Sequence, residues 1–272
     1  MANPDQLEIY NLALNTCGED EIFSLSDTSK PGRLCTRFWE PTLRALIRDY
    51  VWNELKVQAI LDANAEKPLF NFERSYDLPS DFLRAMNVED NDVYEIIGNK
   101  LYTDYGFTPT INGITFAFVD SGPDTITDSD SGFLRAGFKA GDTITVQGST
   151  SNDGDYTIDS VVAGTITLDA GDALTTEAAG SSVNISASED DIRVKFQYIM
   201  FSEDPTLFSS LFIELLYFSL ASKMLIPLTG GDPNLTNYIE NKLSILKSRA
   251  FSINALDNEP NSPRSSWIDV RR

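Results

Sequence analysis

Histidine is absent from the 272 residues, and with it go the commonest general base near neutral pH and the commonest metal ligand. Imidazole-dependent triads and helix-borne zinc protease motifs are therefore excluded. Two cysteines, Cys17 and Cys35, are too few for a zinc ligand set or a disulfide framework, so a reducing cytoplasm is the expected place of synthesis. Basic residues are scarce as well: 21 Lys and Arg stand against 41 Asp and Glu, a formal net charge of −20. Such a chain repels a phosphate backbone, and no clustered basic stripe offers a duplex a footprint. The opening Met-Ala-Asn-Pro-Asp-Gln has neither the basic region nor the apolar run of a secretory signal. The longest apolar stretch, 207–228, carries Glu214, Lys223 and several serines and reads as a buried helix, with no membrane partner expected. What is present suffices for folding: 42% apolar residues over this length support one or two domains.

Residues 1 to 110 open with a helix expected from Asn3 as cap and Pro4 as first residue, with Leu7, Tyr10, Leu14 and Cys17 on one face and Gly18 as stop. Apolar residues recur at helical spacing from Leu34 to Tyr50. Pro41 lacks an amide proton, so the main helical body is expected from Glu40 to about Ala63. From Phe70 the period changes. Short strands are predicted over 82–88, 93–97 and 100–105, the last two joined by a Gly98-Asn99 turn, as a small β platform. Leu78-Pro79-Ser80-Asp81-Phe82 reads as a rigid turn whose aspartate caps local amides.

Residues 111 to 189 have a different grammar of glycine, threonine, aspartate and alternating β-branched positions. Six or seven short strands without any helix are expected, as a small antiparallel barrel or sandwich. With 12 acidic and two basic residues, this stretch carries half of the surplus negative charge, which suits a solvated module.

Helical grammar then returns. After a strand over 192–198, Asp204 and Pro205 begin a helix in which Leu207, Phe208, Leu211, Phe212, Leu215, Leu216, Leu220, Met224 and Leu225 fill two adjoining faces. Asp232 and Pro233 repeat the device, and Leu235, Ile239, Leu243, Leu246, Ala250 and Ile253 form a stripe. A chain that is helical, then β, then helical again is most simply an α+β protein with one discontinuous helical domain, 1–110 with 190–256. It is interrupted by an all-β domain, 111–189, and followed by an extended arm, 257–272.

No residues cohere into a catalytic site, and no cofactor or metal is expected. Asp128, Asp130 and Gly132 faintly suggest a calcium loop, but Thr127, Ser129 and Ser131 occupy the positions where ligands belong, and a solvated acidic turn explains them better. Asn152-Asp153-Gly154-Asp155 reads as a hairpin turn. Glu19, Asp20 and Glu21 disfavour a thiolate at Cys17. Trp267 and Ile268 sit in an arm without a core of its own, so they either stay exposed at some cost, fold back on their own subunit, or dock on a neighbouring protein.

The outer segments resemble the head-to-tail adaptor of short-tailed bacteriophages, the tail tubular protein A or portal-proximal gatekeeper family. The resemblance lies in Leu12-Ala13-Leu14-Asn15 with Gly18, in residues 22–27, in Arg37-Phe38-Trp39 and in Trp52. It continues through Tyr76-Asp77-Leu78-Pro79-Ser80-Asp81-Phe82-Leu83-Arg84-Ala85 and residues 94–103, and resumes at 192–198 and 204–228, about seven tenths of the chain in all. Members of that family usually run from the strand at 101–104 to the one ending near Tyr198 through a short link. Here 111–189 intervenes, resembling small barrel domains inserted into phage structural proteins.

The resemblance implies a non-enzymatic virion protein at the head-tail junction, a homo-oligomeric ring of about a dozen copies with portal protein on one face and tail nozzle on the other. Genomic DNA would pass through without sequence-specific binding. It assigns Phe208, Leu211, Phe212, Leu215, Leu216, Ile239 and Leu246 to the subunit core or ring contacts, and Trp267, Ile268, Arg271 and Arg272 to a portal-docking arm. The competing readings are a carbohydrate-binding tail component acting through 111–189 and a carboxylate-based hydrolase.

Overall fold

The chain begins with a reciprocal cap. In the computed structural model, which describes residues 3–89, 93–189 and 191–257, α1 (Gln6–Cys17) starts after Asp5. The Asp5 carboxylate accepts from the Glu8 amide at 2.8 Å, and the Glu8 carboxylate accepts from the Asp5 amide at 3.1 Å. The expected cap, Asn3, is used differently. Its side-chain amide donates to the carbonyls of Pro205, Thr206 and Phe208 at 3.2, 3.2 and 2.8 Å, tying the first residues to the last third. Gly18, at φ 78°, closes the helix in the left-handed region.

α2 (Lys30–Asp49) starts ten residues before the expected body and ends well short of Ala63. Ser29 caps it through a bond from the Gly32 amide, Pro31 sits in the first turn, and Pro41 lies inside the helix. A proline there removes one backbone bond, at a cost of about 3 kcal/mol. Burial of Cys35, Trp39, Leu43, Leu46 and Ile47 on one face offsets it, at about 1.5–3 kcal/mol per large side chain. After a 3₁₀ turn at Asn53–Leu55 the chain extends as β1 (Lys56–Asp62), where a helix was expected.

The remaining strands are β2 (Arg74–Asp77), β3 (Phe82–Val88), β4 (Tyr94–Ile97), β5 (Lys100–Thr103), β6 (Thr110–Gly113), β7 (Phe116–Val119) and β8 (Thr125–Asp128). The one-turn helix α3 (Phe133–Ala136) precedes β9 (Thr143–Gln147), β10 (Gly154–Val162), β11 (Thr165–Leu168), β12 (Val183–Ala187) and β13 (Arg193–Met200). Asp204 and Pro205 begin only a 3₁₀ turn, Pro205–Leu207. The long helix, α4 (Ser210–Thr229), has its own cap in Ser209 and ends at Gly230, three residues beyond Pro227. α5 (Pro233–Asp257) follows Asp232 as expected.

The result is a mixed α+β fold with three open sheets, ordered β1-β13-β3, β2-β5-β4 and β6-β12-β9-β10-β11-β8-β7. Two compact units are formed. One comprises the described residues within Met1–Val57, Asp81–Met86 and Tyr198–Arg272, and the other those within Gln58–Ser80 and Asn87–Gln197. The expected boundaries at 110 and 190 fall elsewhere: β2, β4, β5 and most of β1 and β13 group with the inset strands.

In the first unit one apolar interior draws on both chain ends. Ile9, Tyr10, Leu14, Cys35, Trp39, Leu43, Ile47, Trp52 and Leu55 share it with Phe208, Phe212, Leu215, Leu216, Leu220, Met224, Ile239 and Leu246. Trp52 meets Phe212 edge to face at 4.7 Å, and its indole N–H donates to the Leu46 carbonyl at 3.0 Å. α4 is long and apolar enough to cross a membrane, yet Phe212, Leu215, Leu216, Leu220 and Met224 on it are buried in this interior.

In the second unit the seven-stranded sheet is open, so the barrel alternative fails. β6 and β7 are its two edges, joined directly by Ile114 and Thr115 with no ladder between them. β10 pairs with β9 through residues 154–157 and with β11 through 158–162, with an irregularity between Ile158 and Ser160. Alternate residues, Phe116, Phe118, Ile126, Ile144, Val146, Ile166 and Ile185 among them, bury one face around Phe133 and Phe138. α3, against the expectation of no helix, drops Phe133 into that core. At four residues it is too short to show a period.

Candidate functional site

The second unit contains an ionic cluster in which the Arg193–Asp142 pair is buried and the Asp62 carboxylate is mostly exposed. Arg193, the first residue of β13, donates from Nη1 to the Gly137 carbonyl and to Asp142 Oδ2 at 2.9 Å, from Nη2 to Asp142 Oδ1, and from Nε to Asp62 Oδ1 at 2.8 Å. Asp142, also buried, accepts from the Lys139 amide at 2.7 Å, and the Lys139 ammonium holds both oxygens of Asp62 at 2.8 Å. Residues from 62, 137–142 and 193 are thus locked together, which explains why β1 and β13 group with the inset strands. Partial burial works to raise the Asp62 carboxyl, but the bonds from Lys139 and Arg193 hold it below its ordinary value. A carboxyl depressed on folding contributes stability above the unfolded value of about 3.9 and loses it as pH falls through the folded value. The unfolding midpoints of the protein and its Asp62→Asn variant are expected to differ at neutral pH, and the difference to shrink as the pH falls below the unfolded carboxyl value.

A second feature is a groove of about 340 Å³ on the face of the β2-β5-β4 sheet. Ser75, Glu95, Ile97, Lys100 and Tyr102 form its floor, and residues 66–72 arch over it. The arch is held by geometry: Asn71 sits at φ 63°, and the Phe72 amide donates back to the Phe70 carbonyl at 2.8 Å. At its base Lys67 pairs with Glu73 at 2.5 Å, and the Glu73 amide donates to Asp104 at 2.7 Å. Its crown is bare: Leu69 is 92% exposed and Phe70 80%, while Val93, just before the edge strand β4, is 80% exposed and Ile97 55%. Lys100 is paired with Asp77 at 3.3 Å; Glu66 and Glu95 have no ion-pair partner among the described residues. Sequence reasoning missed this arch, although Lys67-Pro68-Leu69-Phe70-Asn71 places two large apolar residues in a proline-marked loop.

A third concavity, about 380 Å³, lies by β13 and is lined by Gln58, Asn87, Glu89, Arg135, Lys195 and Gln197. Lys195 pairs with Glu89 at 2.8 Å and lies over the Phe107 ring, while Tyr105 donates to the other Glu89 oxygen at 3.0 Å. Glu89 and Lys195 are therefore engaged with each other.

The sequence-predicted positions fall as follows. Phe208, Phe212, Leu215, Leu216, Ile239 and Leu246 are buried in the first unit's interior and Leu211 packs against it. Trp267, Ile268, Arg271 and Arg272 lie outside the described residues. Asp128 is buried rather than solvated: it accepts from the Thr115 hydroxyl at 2.7 Å and from the amides of Gly132 and Asp130 at 2.8 and 3.0 Å. Asp81 reaches beyond its own turn. It accepts the Tyr198 hydroxyl at 2.9 Å, and burial together with that carboxylate pushes the phenol up to about 12. Asn152 does more than turn a hairpin, since its buried amide donates to the Thr175 carbonyl and to Glu177, and its oxygen accepts from the Thr175 amide at 2.7 Å. Among the described residues no group of three metal-ligating acidic or sulfur side chains occurs.

Burial, with a smaller contribution from Glu19, raises the Cys17 thiol to about 11, and burial raises Cys35 to about 12. Both should resist alkylation by iodoacetamide at pH 8 in the native state and react fully once denatured, a difference read by intact mass.

A comparison of the sequence with protein-family models finds no match, and a search among curated proteins likewise finds none.

Proposed function

We propose that this chain is the repeating subunit of a head-to-tail adaptor ring in a short-tailed bacteriophage, seated between portal and tail nozzle. The observation that carries the reading is the single apolar interior built from residues 9–55 and 199–250, because these are the two stretches in which most of the resemblance lies. A subunit whose ends are fastened together can carry an inset between them without strain on the ring. The net charge of −20 supports the same role: an acidic wall lets DNA slide past without adhering. Closed cyclic symmetry would repeat one head-to-tail contact around the ring.

The carbohydrate-binding reading has less to stand on. Phe133 and Phe138 are buried, and the Tyr156 hydroxyl donates to the Asn152 carbonyl at 3.0 Å, so these rings do not form an exposed stacking platform. For the hydrolase reading, the carboxylates of Asp62, Asp128 and Asp142 are already engaged in hydrogen bonds within the second unit.

The test is assembly on the cognate portal. Mixing the two purified proteins should give one added ring of equally occupied copies in electron micrographs, with no retention of the free protein on a DNA column at physiological salt. A chain that leaves the portal bare would remove the proposal.

A further inference from the structure

The groove under residues 66–72 has the chemistry of a receptor for an extended strand. Among the described residues β4 is an edge strand, with one side of its backbone available for pairing. Beside that edge stand Val93 and Ile97, and across the groove stand Leu69 and Phe70, all exposed. Large apolar side chains clustered on a surface mark an interaction site, whereas single ones do not. Glu66 and Glu95, both lining the groove, carry no ion-pair partner among the described residues, so the matching strand is apolar and cationic.

This protein itself carries a segment of that kind. The 15 residues beyond Asp257 end in Ser265-Ser266-Trp267-Ile268-Asp269-Val270-Arg271-Arg272 and hold Arg264, Arg271 and Arg272 against Glu259 and Asp269. In a chain of net charge −20 this surplus of cations is unusual, and it is complementary to Glu66 and Glu95. Fully extended, 15 residues span about 50 Å, more than the width of a small domain.

We infer that residues 265–272 of one copy add as a strand to the β4 edge of a second copy, with Trp267 or Ile268 filling the groove beneath Leu69 and Phe70. Backbone pairing supplies the affinity of such strand addition, and the side-chain pocket supplies its specificity. Every copy then gives an arm and receives one, a head-to-tail contact that closes into a ring. The inference rests on the adaptor reading for its expectation that copies meet in a ring. It gives the arm a neighbouring copy as partner in place of the portal that the resemblance implies.

The experiment uses the full chain with Trp267→p-benzoylphenylalanine, prepared in light and isotopically heavy forms, mixed in equal amounts and irradiated at high protein concentration. Mass mapping should find adducts to residues 66–72 or 93–97, including adducts that join a light chain to a heavy one. Adducts elsewhere, adducts confined to one chain, or no adducts would overturn the inference. A receptor variant, Phe70→Ser with Ile97→Ser, changes exposed residues only. It should lower the adduct yield by about tenfold or more with an unchanged thermal midpoint, and an undiminished yield would also overturn it. A ring on the portal built from chains that show no such adducts would leave the adaptor reading intact and remove this inference. Light-to-heavy adducts from a chain that ignores the portal would do the reverse.

Discussion

Replacing Arg193 by methionine is expected to destabilise the second unit by about 3–5 kcal/mol, because it leaves the Asp142 carboxylate buried without its cation. The guanidinium makes bonds to Asp142, Asp62 and the Gly137 carbonyl, and methionine makes none of them. The loss is not the worth of the ion pair, which includes the desolvation of both partners. The double replacement Arg193→Met with Asp142→Leu removes the stranded charge and should regain at least half of the deficit, although the Lys139 amide still loses its acceptor. Urea unfolding followed by near-ultraviolet circular dichroism gives both numbers. A single variant within about 1 kcal/mol of the parent would show that water reaches Asp142 and that the cluster is not the fastening described.

Trp52→Ala should lower the stability of the first unit by about 3–5 kcal/mol, the range for removing a fully buried large aromatic. The cavity would open against Phe212, and the Leu46 carbonyl would lose its donor. The partner experiment distinguishes local from long-range effects. Phe212→Leu alone and in combination with Trp52→Ala forms a cycle whose coupling energy should exceed about 0.5 kcal/mol, as for residues in direct contact. Additive losses would place the two rings in separate environments.

How much of this was legible in the sequence depended on the length of each signal. α5, the Gly98-Asn99 hairpin and β3 follow closely from cap residues, turn chemistry and alternation, because each extends over several residues or uses a distinctive dipeptide. The interior formed by both chain ends follows from the two apolar stripes. Misplaced boundaries came from competing local signals. Pro41 looks like a start, yet Ser29 offers a free cap to the Gly32 amide, and the apolar face between them is continuous. The expected cap at Asn3 gives way to Asp5, because the reciprocal bond with Glu8 satisfies two free amides at that position. Asp204 followed by Pro205 looks like a helix start, but Ser209 caps the helix one turn later.

The candidate sites were less legible, for a different reason. Arg193, Asp142 and Asp62 lie 51 and 131 positions apart along the chain, and no periodicity links them. A lone arginine at the start of a strand looks like any solvated cation until the fold brings a carboxylate to it. The exposed arch at Leu69 and Phe70 hid for the opposite reason. Two apolar residues in a loop suggest a buried turn, and only the fold shows that both are exposed.

The central claim, that both ends of the chain build one interior, is tested most directly by native-state hydrogen exchange in low denaturant, read at the amides of α1 (Gln6–Cys17) and α4 (Ser210–Thr229). A shared interior predicts that the most protected amides of the two helices exchange through one opening, with the same free energy and the same denaturant slope. Separate openings, with α4 still protected after α1 has exchanged through a smaller one, would contradict it.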